Sequence, residues 1–151
     1  MELDVLMLES EREVLDEAYA ALQRSAQAHY NAAGETFTRQ WLTELFRLVV
    51  DAISTRNLGE ISAYSEGVAR ERFEAGYDIC EVQTAFNALE EAMWRRVVAS
   101  EPPSELAESV GLLSTVLGFG KDAVARTYVS LASKRHVPTL DLSALFNGPN
   151  S

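Results

Sequence analysis

The side chains that most often carry chemistry are scarce in this sequence: two histidines, His29 and His136, and one cysteine, Cys80. A nucleophilic triad needs Ser, Cys or Thr beside a base, and neither histidine lies near a nucleophile-elbow pattern. Di-iron helical bundles fix their metals with Glu-x-x-His pairs, and neither histidine has a glutamate three residues before it. Gly118-Phe119-Gly120-Lys121 looks like a piece of a phosphate loop, but the remaining glycine spacing and the preceding strand are missing. A single axial imidazole suffices for a haem, which makes His29 the one residue that could carry it in a globin-like domain. A histidine at a helix end is more commonly a surface or capping group. Cys80 falls in the first turn of a helix, where the dipole favours a thiolate and permits a redox sensor; an inert cysteine is the plainer reading. Trp41, Phe86, Met93 and Trp94 form a candidate small-molecule pocket or interface, with core packing as the alternative at that helical spacing. The sequence therefore predicts no catalytic residue, no metal site, no cofactor and no enzyme.

The charge balance narrows the partners. Twenty-three acidic against 13 basic side chains give a net charge of −10 over 151 residues. A nucleic-acid binder needs surplus Lys and Arg to displace phosphate counterions, so DNA and RNA are disfavoured. The pairs Arg70/Arg72 and Arg95/Arg96 are too small to reverse that and read as solvated helix surface. A lone cysteine forms no internal disulfide, Met1 to Ser10 lacks the positive start of a secretory signal, and no uncharged run approaches the roughly 20 residues of a membrane span. A cytoplasmic, membrane-free protein is expected.

Hydrophobic periodicity is helical nearly throughout, and capping signatures fall at its breaks. Ser10 with Glu13 predicts a capping box opening a first helix that runs to about Asn31. Gly34 breaks it, and Phe37, Trp41, Leu45, Leu48 and Ala52 form the stripe of a second. Asn57 and Glu60 open a third, ended by Gly76 in the left-handed conformation. Asp78, with Glu81 three residues on and Tyr77 able to staple against Val82, opens a fourth helix directly after it. Pro102 and Pro103 end that one, and a long fifth helix contains Gly111, Gly118 and Gly120, with a kink or close backbone approach expected near Gly118.

The prediction is an all-α fold of about five helices, a compact bundle of globin-like or orthogonal packing, over residues 1–136. Residues 137–151 lose the period and read as a tail whose one short turn could dock on the body or on a partner.

The run from Arg70 to Val82, with Arg72, Gly76, Tyr77, Asp78 and Glu81, followed by Phe86-Asn87-Ala88-Leu89-Glu90-Glu91-Ala92-Met93-Trp94, resembles the N-terminal domain family of RsbR-type proteins, the RsbT co-antagonists of bacterial stress signalling. With Trp41, Leu45 and the Asn57-Leu58 helix start, the likeness covers roughly Ala20 to Ser133. The resemblance implies a globin-like, haem-free, dimeric sensory domain, joined in such proteins to a STAS domain that meets a serine kinase in partner switching. No room for that domain follows Arg135, so a free-standing member or a fragment is expected, and the missing domain's phosphorylation sites are not carried over.

The function so predicted is a non-enzymatic sensory and protein-interaction domain, a homodimer with a protein signalling partner and a small ligand as a further candidate. The alternative is a globin-like small-molecule or haem-binding sensor or carrier. Two apolar termini outside the periodic pattern, Leu3, Leu6 and Met7 at one end and Leu142, Leu145 and Phe146 at the other, are the candidate dimer surface.

Overall fold

The computed structural model describes residues 2–25 and 27–136. Seven α-helices and no strand occur among them: α1 Leu3–Glu9, α2 Glu11–Arg24, α3 Ala28–Ala33, α4 Glu35–Thr55, α5 Gly59–Glu74, α6 Ile79–Ser100 and α7 Pro103–His136. They form a compact bundle. The predicted tail, with Leu142, Leu145 and Phe146, lies outside the described residues.

The count exceeds five because the single helix expected at the N-terminus is three. The apolar segment before Ser10 is itself helical, and Ser10 is at once the end of α1 and the start of α2. Its backbone, at φ −104° and ψ 6°, never reaches the extended conformation of an N-cap, and its side chain makes no cap hydrogen bond. Ser10 N–H donates to Leu6 O at 3.1 Å and Ser10 O accepts from Val14 N–H at 2.9 Å, so the junction bends without losing its ladder. Further on, Gln27 has an extended backbone ahead of α3, and Gly34 at φ 94° separates α3 from α4.

The burial of α1 corrects the reading of Leu3, Leu6 and Met7 as surface left outside the core. Met7 is fully buried, and Leu3 and Leu6 are only 8% and 5% exposed, all within this chain's own hydrophobic cluster. A seven-residue helix with an apolar stripe lies across α4 and α6 and hides that stripe there. Val5 and Leu8, on its other side, are exposed.

The long α7 packs most extensively on α5 and then on α6, while α2 packs on α6. Phe46, Phe86, Leu42, Leu45, Ile61, Leu89, Met93, Leu113 and Leu117 are fully buried where these helices meet one another and α4. The close backbone approach expected near Gly118 occurs at Gly120. A Cβ at Gly120 would stand 2.9 Å from the Phe86 ring and 3.0 Å from Ser65 Oγ, whereas one at Gly118 meets nothing within 4 Å. Glycine thus lets α7 approach both α5 and α6 at one level. Lys121, next in sequence, bonds Asn87 Oδ1 and Glu90 Oε1 at 2.9 and 2.8 Å, so the Gly-Phe-Gly-Lys run is helix interior.

Exposed ion pairs fix the register of α2 against α4: Arg39 reaches Asp16 at 2.7 Å, with its guanidinium 4.4 Å above the Tyr19 ring, and Arg47 reaches Glu11 at 3.1 Å. Each contributes at most about 1 kcal/mol, and core burial supplies the bulk of the stability. No described helix is long and apolar enough to cross a membrane.

Candidate functional site

The turn between α5 and α6 follows the local rules closely. Gly76 has φ 87°, its N–H donates to Phe73 O at 3.1 Å, and Tyr77 N–H donates to Arg72 O at 2.9 Å. This pair of bonds is a Schellman motif, which satisfies the last carbonyls of α5. Asp78 then takes an extended backbone, and its carboxylate accepts from Cys80 N–H at 2.8 Å, capping α6. Glu81 does not complete the predicted capping box. Its two oxygens lie 2.8 and 3.0 Å from His29 Nδ1, tying α6 to α3.

This turn places Arg72 inside the protein. The residue is 2% exposed, and Tyr30, Phe37, Trp41 and Tyr77 surround its guanidinium at 5.7, 4.9, 5.6 and 5.4 Å from their ring centres. Arg72 Nε–H donates to Tyr30 Oη at 3.3 Å and Nη1–H to Glu71 at 3.0 Å. Glu71 is 68% exposed, so the anionic partner of a buried cation is a solvent-facing carboxylate of modest hold. Cation-π attraction from the rings offsets part of the lost solvation.

The aromatic shell is tied together in turn. His29 stacks on Tyr77 at 4.7 Å, Tyr30 meets Tyr77 edge-on at 5.0 Å, and Tyr128 Oη–H donates to Tyr77 O at 2.9 Å. Burial pushes the Tyr30 and Tyr128 phenols up to about 12, with the Arg72 charge opposing the rise. Tyr77 is raised for the same reason, and Tyr64 is raised by burial and by its hydrogen bond to Glu44. All four stay protonated at neutral pH.

A cavity of about 420 Å³ opens beside Arg72 between α4 and α5. Phe37, Gln40, Trp41 and Glu44 form its wall on α4, and Tyr64, Gly67, Val68, Glu71 and Arg72 its wall on α5. Both sets follow the three-and-four spacing of a single helix face. Arg72 with Phe37 and Tyr64 with Glu44, the latter bonded at 3.0 Å, mark opposite ends, so the two helices run antiparallel along the cavity. Trp41 is 4% exposed, and its Nε1–H has no hydrogen-bond partner among the described residues.

Of the four residues predicted to line a pocket, only Trp41 lines this one. Phe86 and Met93 are fully buried in the core, Phe86 edge-on to Trp41 at 5.6 Å, and Trp94 stands on the outer face of α6 with 38% exposure. Within the predicted turn motif, Arg72 and Val82 are buried, Tyr77 and Glu81 half-buried, and Arg70, Gly76 and Asp78 exposed. Solvated surface therefore describes Arg70 and not Arg72. Arg95 pairs with Glu17 and Glu91, and Arg96 with Ser10 and Glu13. Cys80 is exposed. Phe37, Gln40, Glu44, Tyr64, Gly67, Val68 and Glu71 were not legible as one site. The available signal was the polar Gln40 and Glu44 sharing a face with Phe37 and Trp41.

Among the described residues, no group of three or more His, Cys, Asp or Glu side chains is placed to hold a metal ion. What the arrangement offers is recognition: a buried cation, an unpaired indole N–H, an aromatic wall and two carboxylates at a partly open groove.

The described residues thus form a helical bundle with a buried arginine beside a groove between two of its helices. The chain matches the RsbT co-antagonist protein rsbRD N-terminal domain over residues 12–135 and belongs to that family. No curated protein and no solved structure matches it.

Proposed function

We propose that this chain is a non-enzymatic sensory and protein-interaction domain of bacterial stress or partner-switching signalling, and that it acts as a dimer. Family membership over residues 12–135 carries the reading. The family's description names RsbT, and a signalling protein of that kind is the partner proposed here, with the cytoplasm as its place of action.

The dimer face is assigned to exposed apolar side chains. Trp94 and Val98 stand one turn apart on α6 with 38% and 49% exposure, and Val5 and Leu8 are exposed on α1, which touches α6. Apolar surface of this kind favours burial against a second copy about a two-fold axis. Sedimentation at micromolar concentration is expected to give a dimer, with Trp94→Asp shifting it to monomer while the helical dichroism is kept. A wild-type monomer across that range removes the dimer from the proposal. Affinity purification from the native cells, with mass spectrometry, is expected to recover partner-switching components, and recovery of none overturns the signalling assignment.

The small-molecule form of the second reading has the α4–α5 cavity in its favour. Its haem form has less, because the His29 ring is packed on Tyr77 and is not among the residues that line that cavity. A stoichiometric Soret band lost in His29→Ala would restore it.

A further inference from the structure

We infer that the groove between α4 and α5 binds a basic α-amino acid, its carboxylate on Arg72, its α-ammonium at Glu71 and its side-chain cation at Glu44. The inference deepens the sensory reading by naming a ligand class, and it rests on that reading only for what binding would signal. Binding itself is a property of the chain alone.

Arg72 sets the anionic end. A buried guanidinium retains donors beyond its two protein hydrogen bonds, and its fork matches a carboxylate. Its one acidic partner among the described residues, Glu71, is mostly in solvent, where a second cation can reach it. The unpaired Trp41 Nε1–H in the same wall is an independent demand for an acceptor, since a buried donor without one carries its full desolvation cost.

Charge sets the rest of the ligand. Arg72 contributes one positive charge to the lining, Glu44 and Glu71 one negative charge each, so the groove is net negative by one. A simple carboxylate would deepen that excess. A plain amine would leave Arg72 and the Trp41 indole unanswered. A molecule with one carboxylate and two ammonium groups answers all three side chains and neutralises the site.

The spacing agrees. Phe37, at the Arg72 end, and Glu44 stand about 10 Å apart along α4 at the ordinary rise of about 1.5 Å per residue. Arg72 and Glu44 thus stand at opposite ends of the groove, and Trp41 and Val68 form the apolar wall between them past which a linear stem of the ligand runs. A volume of about 420 Å³ lies within the range of small-molecule sites.

The test is titration of the full chain with L-lysine, read by calorimetry and by Trp41 fluorescence in Trp94→Phe, which leaves one of the two tryptophans. Saturable binding is expected. Cadaverine, lacking the carboxylate, and norleucine, lacking the terminal cation, should each bind at least about tenfold more weakly. Glu44→Gln should weaken lysine at least about tenfold while leaving norleucine unchanged, a reversal that general loosening of the fold would not produce. Gly67→Leu fills the groove from a helical position whose Cβ meets nothing within 4 Å, and should abolish binding with the melting temperature unchanged or raised. Absence of saturable lysine binding by the wild type overturns the inference, as does equal affinity for cadaverine or undiminished binding by Gly67→Leu. None of these three results touches the partner reading, which capture from native cells tests separately.

Discussion

Two helix starts in this chain carry the same signature and end differently. Ser10 with Glu13 and Asp78 with Glu81 both place a capping residue three positions ahead of a glutamate. At Asp78 the backbone is extended, at φ −70° and ψ 146°, and the carboxylate caps α6. At Ser10 the backbone stays near-helical, and the hydroxyl instead accepts from Arg96 Nε at 2.9 Å. In both places the glutamate serves another helix: Glu81 holds His29, and Glu13 reaches Arg96 at 3.3 Å. A capping sequence marks where one helix gives way to another. The side chain caps where the backbone leaves the helical ladder, as it does at Asp78 and does not at Ser10.

The comparison breaks most severely at Gly76. Valine there is expected to lower stability by more than about 1 kcal/mol, because a β-branched residue resists the left-handed region that φ 87° demands. Chemical denaturation reads the loss, and a wild-type midpoint would show that the turn does not depend on this conformation.

Alkaline titration sharpens the contrast through the shell around the same turn. The Tyr30 phenol, ordinarily near 10.0, is pushed up to about 12 in the folded protein, mainly by burial. Because the folded value is the higher one, the contribution is complete below pH 10 and is lost as pH rises through about 12. It amounts to about 3 kcal/mol at about 1.4 kcal/mol per pH unit. Tyrosinate absorbance should rise together with unfolding in the wild type, and Tyr30→Phe should flatten that part of the stability profile. An unchanged profile in Tyr30→Phe would place the alkaline sensitivity elsewhere.

Asp78→Ala should cost about 1 kcal/mol, the usual value of a working N-cap. Ser10→Ala should cost about 0.5 kcal/mol or less, since it removes one hydrogen bond to a half-buried arginine that keeps Glu13. Equal losses in the two variants, measured by urea denaturation, would erase the distinction between the junctions.

Much of the fold was legible because it is written locally. The Gly76 stop, the Asp78 cap and the Asn57 start, where Asn57 Oδ1 accepts from Gly59 N–H at 2.9 Å, each depend on residues within a few positions of one another. The N-terminal helices were less legible, because the bend at Ser10 keeps its backbone hydrogen bonds and interrupts no periodicity strongly enough to be seen. The site was least legible. Trp41 was named as a pocket residue, but Phe86 and Met93 have the same spacing and face the core, and periodicity does not say which apolar side chain borders a gap.

The sequence by itself determined an all-helical chain, its main helix boundaries, its acidic surface and the turn that ends α5, since propensity, capping and charge are properties of short segments. Only the tertiary structure decided that Arg72 is buried and Arg70 is not, that α1 folds into its own core, and that Gly120 rather than Gly118 is the point of close approach. Those outcomes depend on how far one helix stands from the next. That distance is set by the whole set of side chains packed between them, which no local window contains.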